Sequence, residues 1–323
     1  MLDLRLVHLS ASSTRPSDWV DRRGKRRVRK GGGGKHGLPD WVRSCIYRAM
    51  TLDLAAYLKR IGYTGPVRAD LETLNALHAA HVNAVPFENL DVHAGRPVTL
   101  SLEAAYEEIV GQGKGGWCYE MNAVFGWALS EIGFEVLRLG AGVRREALGD
   151  EAMGNHLALL VRLERDYLAD VGFGSSQVHA IALEEGVSDH APVRMAIART
   201  DDGYWRLHEG GPGATFSYDF RAEPADEALL AARHEWQITD PNSIFCKTLS
   251  AKIRRGTTYY MLRGRMLETQ MPGRSTQQVM DTPEELSAVL DEVFGLEEPE
   301  LEALWPKICA RHKQLFPHAG GRL

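Results

Sequence analysis

Apolar residues recur every three or four positions through much of the first half of the chain. Residues 51 to 60, 70 to 82 and 101 to 110 carry this spacing, with Leu71, Leu74, Leu77 and His78 on one face of the second stretch and Leu102, Ala105 and Ile109 on one face of the third. Met121, Val124, Phe125, Ala128 and Leu129 repeat it once more. That spacing is the stripe by which a helix meets a core, so the first part reads as helical. From Glu135 to about Tyr218 the chain changes to short alternating stretches broken by glycine, among them Val136 to Gly140 and Tyr204 to His208, which predicts an antiparallel sheet or barrel. Residues 225 to 323 return to mixed elements and end in helices around Pro283 to Phe294 and Glu297 to Leu315. No internal repeat is visible.

Candidate chemistry lies where the last helical stripe of the first part begins. Lys114-Gly-Gly-Trp-Cys-Tyr-Glu-Met-Asn122 sets Cys118 between a glycine pair, read as a tight turn, and the start of that helix. Unpaired N–H groups and the positive end of the helix dipole at such a place favour a thiolate. A free cysteine is otherwise most often a small buried hydrophobe, so the assignment rests on a base and on a group to orient it. His156 to Leu163 reads as a strand, Glu164 to Asp166 as a turn, and Tyr167 to Gly174 as the returning strand. An odd loop places His156 and Asp170 on one face, opposite or one diagonal apart, whereas an even loop separates them. Asp170 stands in an otherwise apolar or glycine run, where a buried carboxylate needs a partner and a histidine N–H is the natural one.

Composition narrows the class. A chain of 323 residues with 25% charged and 44% hydrophobic residues has the makings of a large globular core. Its four cysteines, Cys45, Cys118, Cys246 and Cys309, are widely spaced without a Cys-x-x-Cys pair, which argues against a disulfide framework and against a metal site. No apolar run approaches the roughly 20 residues that span a bilayer, and no apolar segment follows a basic start. A soluble, reduced, cytoplasmic enzyme is expected. Residues 1–49 hold twelve Lys or Arg against four Asp, a net of +8, while the remainder holds 26 against 39, a net of −13. The run Arg22 to Lys35 has almost no apolar content, so residues 1–49 are expected to be a disordered basic extension. Its charge would suit nucleic acid or an acidic membrane. The better reading is an over-extended start or a dispensable leader before Met50, and the acidic body itself offers no broad basic surface for nucleic acid.

Four separated blocks, in order, resemble the arylamine N-acetyltransferase family: Val85-Pro-Phe-Glu-Asn-Leu-Asp91, the Gly-Gly-Trp-Cys block, Asn155-His-Leu157, and Asp170-Val-Gly-Phe-Gly174. Met50-Thr-Leu-Asp-Leu-Ala-Ala-Tyr resembles that family's opening, and the likeness runs over residues 50 to 323, weakest beyond 250. It implies an α+β fold with an N-terminal helical bundle (50–134), a central antiparallel β-barrel (135–224) and a C-terminal α/β lid (225–323) around a cysteine-protease-like Cys-His-Asp core. It implies acetyl-CoA as acyl donor, no metal, an aromatic amine or hydrazine as acceptor, no membrane partner, and room for a homo-oligomer. Cys118, His156 and Asp170 would be the catalytic triad of ping-pong transfer. The oxyanion would rest on the Cys118 N–H and a second backbone donor near Val143 or Arg144, and Phe87, Val143 and Phe173 would line the acceptor pocket. Two positions depart from the family pattern. Lys114 stands where arginine is usual, predicting a Glu88–Lys114 pair that holds the loop less rigidly, and Asn155 stands where threonine is common. Lacking a Walker loop or a Gly-x-Gly-x-x-Gly turn, the chain must hold CoA otherwise. Lys247, Lys252, Arg254 and Arg255 form the only dense basic run of the acidic body and would meet the CoA phosphates, unless they are a solvated face. Rival functions are a macrolactam-forming amide synthase of the same family, a thiol hydrolase or peptidase, and a binding protein whose triad does not turn over.

Overall fold

A computed structural model describes residues 52–317 apart from 212, 213 and 215; the segment 1–49, expected to be a basic disordered extension, lies outside them. The helices start where short polar side chains cap them. α1 (Leu54–Arg60) is capped by Asp53, which accepts the Ala55 N–H at 2.9 Å, and α2 (Leu71–Ala84) by Asp70, which accepts that of Thr73. A two-residue strand β1 (Phe87–Glu88) and the short α3 (Leu90–Ala94) follow. α4 (Leu102–Tyr106) runs on through a π-helical turn over Glu107–Gly111. α5 (Cys118–Ile132) buries Met121, Val124, Phe125, Ala128 and Leu129, the stripe read from the sequence, and ends at Gly133 in the left-handed region.

Eight strands then form an antiparallel sheet curled into a nearly closed barrel: β2 (Glu135–Val143), β3 (His156–Arg162), β4 (Asp166–Ala169), β5 (Ile181–Ala182), β6 (Gly186–His190), β7 (Val193–Arg199), β8 (Trp205–Glu209) and β9 (Phe216–Phe220), in the order β5-β4-β3-β2-β9-β8-β7-β6. β3 has no solvent face until Arg162. Leu157, Leu159 and Val161 pack against the helical layer, while Ala158 and Leu160 point into the barrel with Leu139, Leu168, Leu207 and Phe220. Both faces are covered, which explains a continuous apolar run where a half-exposed strand would alternate. Each such leucine, fully buried, stabilises the fold by about 1.5–3 kcal/mol.

After α6 (Glu227–Thr239) comes a meander, β10 (Ser250–Arg255), β11 (Thr258–Arg263), β12 (Met266–Met271) and β13 (Arg274–Val279), packed on α7 (Pro283–Val289) and α8 (Leu301–Leu315) through Leu249, Ile253, Leu262, Leu286, Phe294 and Ile308. β1 joins its edge, with Phe87 opposite Lys252 and Glu88 opposite Ala251. The C-terminal sheet thus takes a strand from the residues that lead to Cys118. No helix among the described residues is long and apolar enough to cross a membrane.

Candidate active site

Cys118 is the first residue of α5, and the strand before it fixes where it stands. Glu88 donates its N–H to Gly116 O at 2.9 Å, and Gly116 returns one to Pro86 O at 3.1 Å, so the loop carrying Cys118 is stitched to β1. The glycine pair makes close approach possible and not a left-handed turn: a Cβ on Gly115 would run into Pro86 O and lie 2.6 Å from Glu88 Cγ. Trp117 anchors the loop among Tyr119, His234 and Phe245, with ring centroids 5.0 to 5.3 Å away. Glu120 accepts the Trp117 N–H at 3.2 Å, while the Cys118 N–H meets no acceptor among the described residues.

The hairpin of β3 and β4 has a three-residue connection and pairs Leu159 with Ala169 and Val161 with Tyr167. This register puts Asp170 opposite Ala158 and one diagonal from His156, on the same face. Asp170 Oδ2 lies 2.7 Å from His156 Nε2, and the other ring nitrogen is left to Cys118. Asp170 is fully buried and His156 nearly so. Burial by itself would lower the histidine's pKa, but the Asp170 charge and hydrogen bond, then the hydrogen bond of Cys118, reverse the effect and raise it to about 10. Burial likewise opposes ionisation of Asp170, yet the charge of His156 and the bonds from His156 and Asn122 hold it below the usual carboxylate range.

Asn122 was not singled out in the sequence, although it stands one helical turn beyond Cys118 on the same face. Its Nδ2 donates to Asp170 Oδ1 at 2.8 Å and to Leu157 O at 2.6 Å, and its Oδ1 accepts the Val171 N–H at 3.1 Å. One side chain thereby ties the cysteine helix to both strands of the hairpin. Gly172 lets them close, since a Cβ there would lie 2.7 Å from Cys118 Cα. Asn155 has a role of its own: Oδ1 accepts the Val143 N–H at 2.8 Å and Nδ2 donates to Val143 O at 3.2 Å, which clamps β2 to the start of β3 beside His156.

Aromatic side chains gather beside His156. Phe173 lies 5.5 Å from the His156 ring and 4.8 Å from Tyr218, whose own ring is 4.9 Å from His156. Val143 is paired with Tyr218, and Phe87 belongs to the strand stitched to the Cys118 loop. Phe216, stacked on Phe173 at 4.9 Å and 38% exposed, extends this wall to the surface.

Other expectations are corrected. The second oxyanion donor is neither Val143 nor Arg144, because the Val143 N–H is taken by Asn155 and that of Arg144 by Ser217 O at 2.8 Å. Lys114 pairs with Asp91 at 3.3 Å and not with Glu88. Glu88 turns inward, accepts the Leu90 N–H at 2.6 Å, and is raised by burial to about 7. The basic run does not form one phosphate-facing patch. Arg254 is fully buried and spends its guanidinium on the carbonyls of Ser175 (3.0 Å), Ser176 (2.5 Å), His190 (2.8 Å) and Ala191 (2.6 Å). Arg255 reaches the carbonyls of Asn83 and Val293, and Lys247 Nζ donates to Asn242 Oδ1 at 3.1 Å. Lys252 alone comes near the site. Among the described residues no group of His, Cys, Asp and Glu could hold a metal. Two cavities among the described residues, of about 620 and 480 Å³, are lined by neither Cys118, His156 nor Asp170.

Comparison with known proteins agrees with this architecture. Residues 70–301 match the family model described as N-acetyltransferase. An arylamine N-acetyltransferase of Mycolicibacterium smegmatis is 34% identical over 258 residues, covering 77% of this chain and 93% of that protein. Arylamine N-acetyltransferase 2 of Mus musculus is 29% identical over 293 residues, covering 82% and 99%. Among solved structures, the arylamine N-acetyltransferase from Mycobacterium abscessus superposes with a TM-score of 0.72 at 29% identity, covering 80% of this chain and 95% of that one. The Mycobacterium marinum arylamine N-acetyltransferase in complex with CoA gives 0.71 at 29% identity, covering 81% and 99%. With the match spanning most of its length and its fold shared from end to end of those relatives, this chain belongs to the arylamine N-acetyltransferase family of acyl-transferring enzymes.

Proposed function

We propose that the protein acetylates aromatic amines and hydrazines by ping-pong transfer from acetyl-CoA through an acetyl-Cys118. The observation that carries this reading is the register of the β3–β4 hairpin, which aligns Asp170 on His156 at 2.7 Å and leaves the second ring nitrogen to a cysteine at a helix N-terminus. The raised histidine keeps its proton at neutral pH and holds Cys118 as thiolate. The sulfur attacks the thioester carbonyl, and the oxyanion formed lies at the N-terminus of α5, where the Cys118 N–H is a donor without a partner among the described residues. Collapse of that adduct expels CoA as its thiolate, which takes the proton of His156 and leaves the ring neutral. The amine then attacks the acetyl-cysteine and loses a proton to His156, and the Cys118 thiolate leaves. A thioester and an enzyme thiol are close in leaving ability, so positioning supplies most of what the exchange needs. The M. marinum relative is a complex with CoA, which supports the same donor here. Cys118 is only 3% exposed, and that favours transfer to an amine over hydrolysis.

Intact-protein mass spectrometry after brief mixing with acetyl-CoA, beside a Cys118→Ala variant, tests the reading. One acetyl group on the wild type alone, discharged by an added arylamine, is the expected result. Steady CoA release into water without an adduct would identify a hydrolase. Neither adduct nor CoA would sink acetyl transfer and leave the macrolactam-forming or binding alternative.

A further inference from the structure

The cavity of about 620 Å³ is formed where β1, the start of α3, the loop that leads to Cys118 and the connection between α7 and α8 come together. Its walls hold five carboxyls, Glu88, Asp91, Asp291, Glu297 and Glu300, against two cations, Arg96 and Lys114. Both cations are already engaged. Arg96 is shared by Asp91 at 2.5 Å, the buried Glu298 at 2.5 Å and Glu300 at 3.4 Å, and Lys114 meets Asp91 at 3.3 Å. Glu88, Asp291 and Glu297 have no ion-pair partner among the described residues. A cleft with one sign in excess focuses its field and concentrates ions of the other.

Glu88 sets this cavity apart from a solvated acidic surface. It is only 7% exposed, yet it forms part of the cavity wall. One carboxyl oxygen accepts the Leu90 N–H at 2.6 Å, and the other meets no donor among the described residues. A buried carboxylate without a counter-ion is unfavourable, and burial, then the charges of Asp91 and Glu108, raise Glu88 to about 7. The wall also carries the buried side chains of Leu90 and Leu296, which suit methylene groups. The described residues gather no group of His, Cys, Asp and Glu that could hold a metal ion, so the chemistry of the wall fits an organic cation with an aliphatic chain.

We infer that this cavity binds a linear aliphatic polyamine, with one ammonium on Glu88, the methylenes along Leu90 and Leu296, and a second ammonium at Asp291 and Glu297. The site goes beyond the acetyl-transfer reading and does not depend on it. Cys118, His156 and Asp170 do not line the cavity, so an amine held there is not placed for acetylation. A charge-assisted bond to Glu88 is worth about 10- to 100-fold in binding.

Titration calorimetry of the full chain at pH 7 and physiological salt, with spermidine and with butylamine, tests the site. Expected is one saturable spermidine site that weakens about 10- to 100-fold in Glu88→Gln. The double variant Asp291→Asn, Glu297→Gln should weaken spermidine as well and leave butylamine, which has a single ammonium, unchanged. Glu88 is partly protonated at pH 7, so a cation seated on it expels a proton, and the heat of wild-type binding should vary with the ionisation enthalpy of the buffer. That readout needs no variant, and the double variant alters only exposed residues whose side chains make no hydrogen bond among the described residues. Both therefore stand even if Glu88→Gln does not fold. Absence of saturable spermidine binding overturns the inference. So does equal binding by the wild type and both variants, which would mark a general attraction to the acidic surface, and so does binding without proton release.

Discussion

Asp170 is a carboxylate with no access to water, and it stays charged because every neighbour in reach donates to it or carries positive charge. His156 Nε2 takes one oxygen, while Asn122 Nδ2 and the Gly172 N–H take the other at 2.8 and 2.9 Å. Replacing Asp170 by Asn keeps the shape but puts an amide where His156 needs an acceptor, so the ring loses its orientation and the charge that holds its proton. Single-turnover acetylation of the wild type and Asp170→Asn should differ on the order of a thousandfold or more. A variant that reacted within tenfold of the wild type at pH 7 would remove Asp170 from the mechanism. The pairing of His156 with Asp170 was legible only as one of two outcomes, because an odd loop brings the two to one face and an even loop separates them. Side chains whose partners are backbone atoms were not: nothing in Arg254 or Asn155 as residue types says that one will cap four carbonyls and the other clamp a strand end.

Arg254 shows how an element is held in place. Its strand, β10, passes beneath the loop after Phe173, and the guanidinium joins that loop to the end of β6 and the residue beyond through the four carbonyls it satisfies. A buried charge of this kind is tolerated only while those bonds last. Arg254→Met should cost about 3 kcal/mol or more, since several buried carbonyls lose their donors together, and equilibrium urea denaturation reads it as a lower midpoint. A loss below about 1 kcal/mol would mean that the loop is held by something else. The sequence marked the helices of the first part well because apolar stripes are local, while their caps Asp53, Asp70 and Ser101, one residue before them, were not singled out. The strands β10 to β13 carried no comparable mark, since their order depends on β1, two residues long and more than 150 positions away.

Buried titratable groups set the pH range of the whole molecule. Burial is the first cause in each of six histidines held neutral: His78 at about 3, His93 and His234 at about 4, His190 at about 2, and His81 and His312 also lowered. Burial acts oppositely on four carboxyls, raising Glu88 to about 7 and Glu108, Glu120 and Glu209 above their ordinary value. As pH falls below about 6.5 the unfolded chain protonates those histidines while the folded protein does not, so stability is lost. In the same window the folded protein binds protons on the four carboxyls that the unfolded chain still leaves ionised, which restores part of it. Six groups against four leave a net loss toward acid. His156 works on the alkaline side: its folded value of about 10 lies above the unfolded one, so the stability it contributes is complete below about 6.5 and disappears as pH rises through 10. Thermal unfolding followed from pH 5 to 10 should therefore show a maximum near neutrality, with Tm several degrees lower at pH 5 than at pH 7. Tm that was flat or rose between pH 7 and pH 5 would show that the carboxyls outweigh the histidines. The protein would then be stable toward acid, with His156 still costing it stability at high pH.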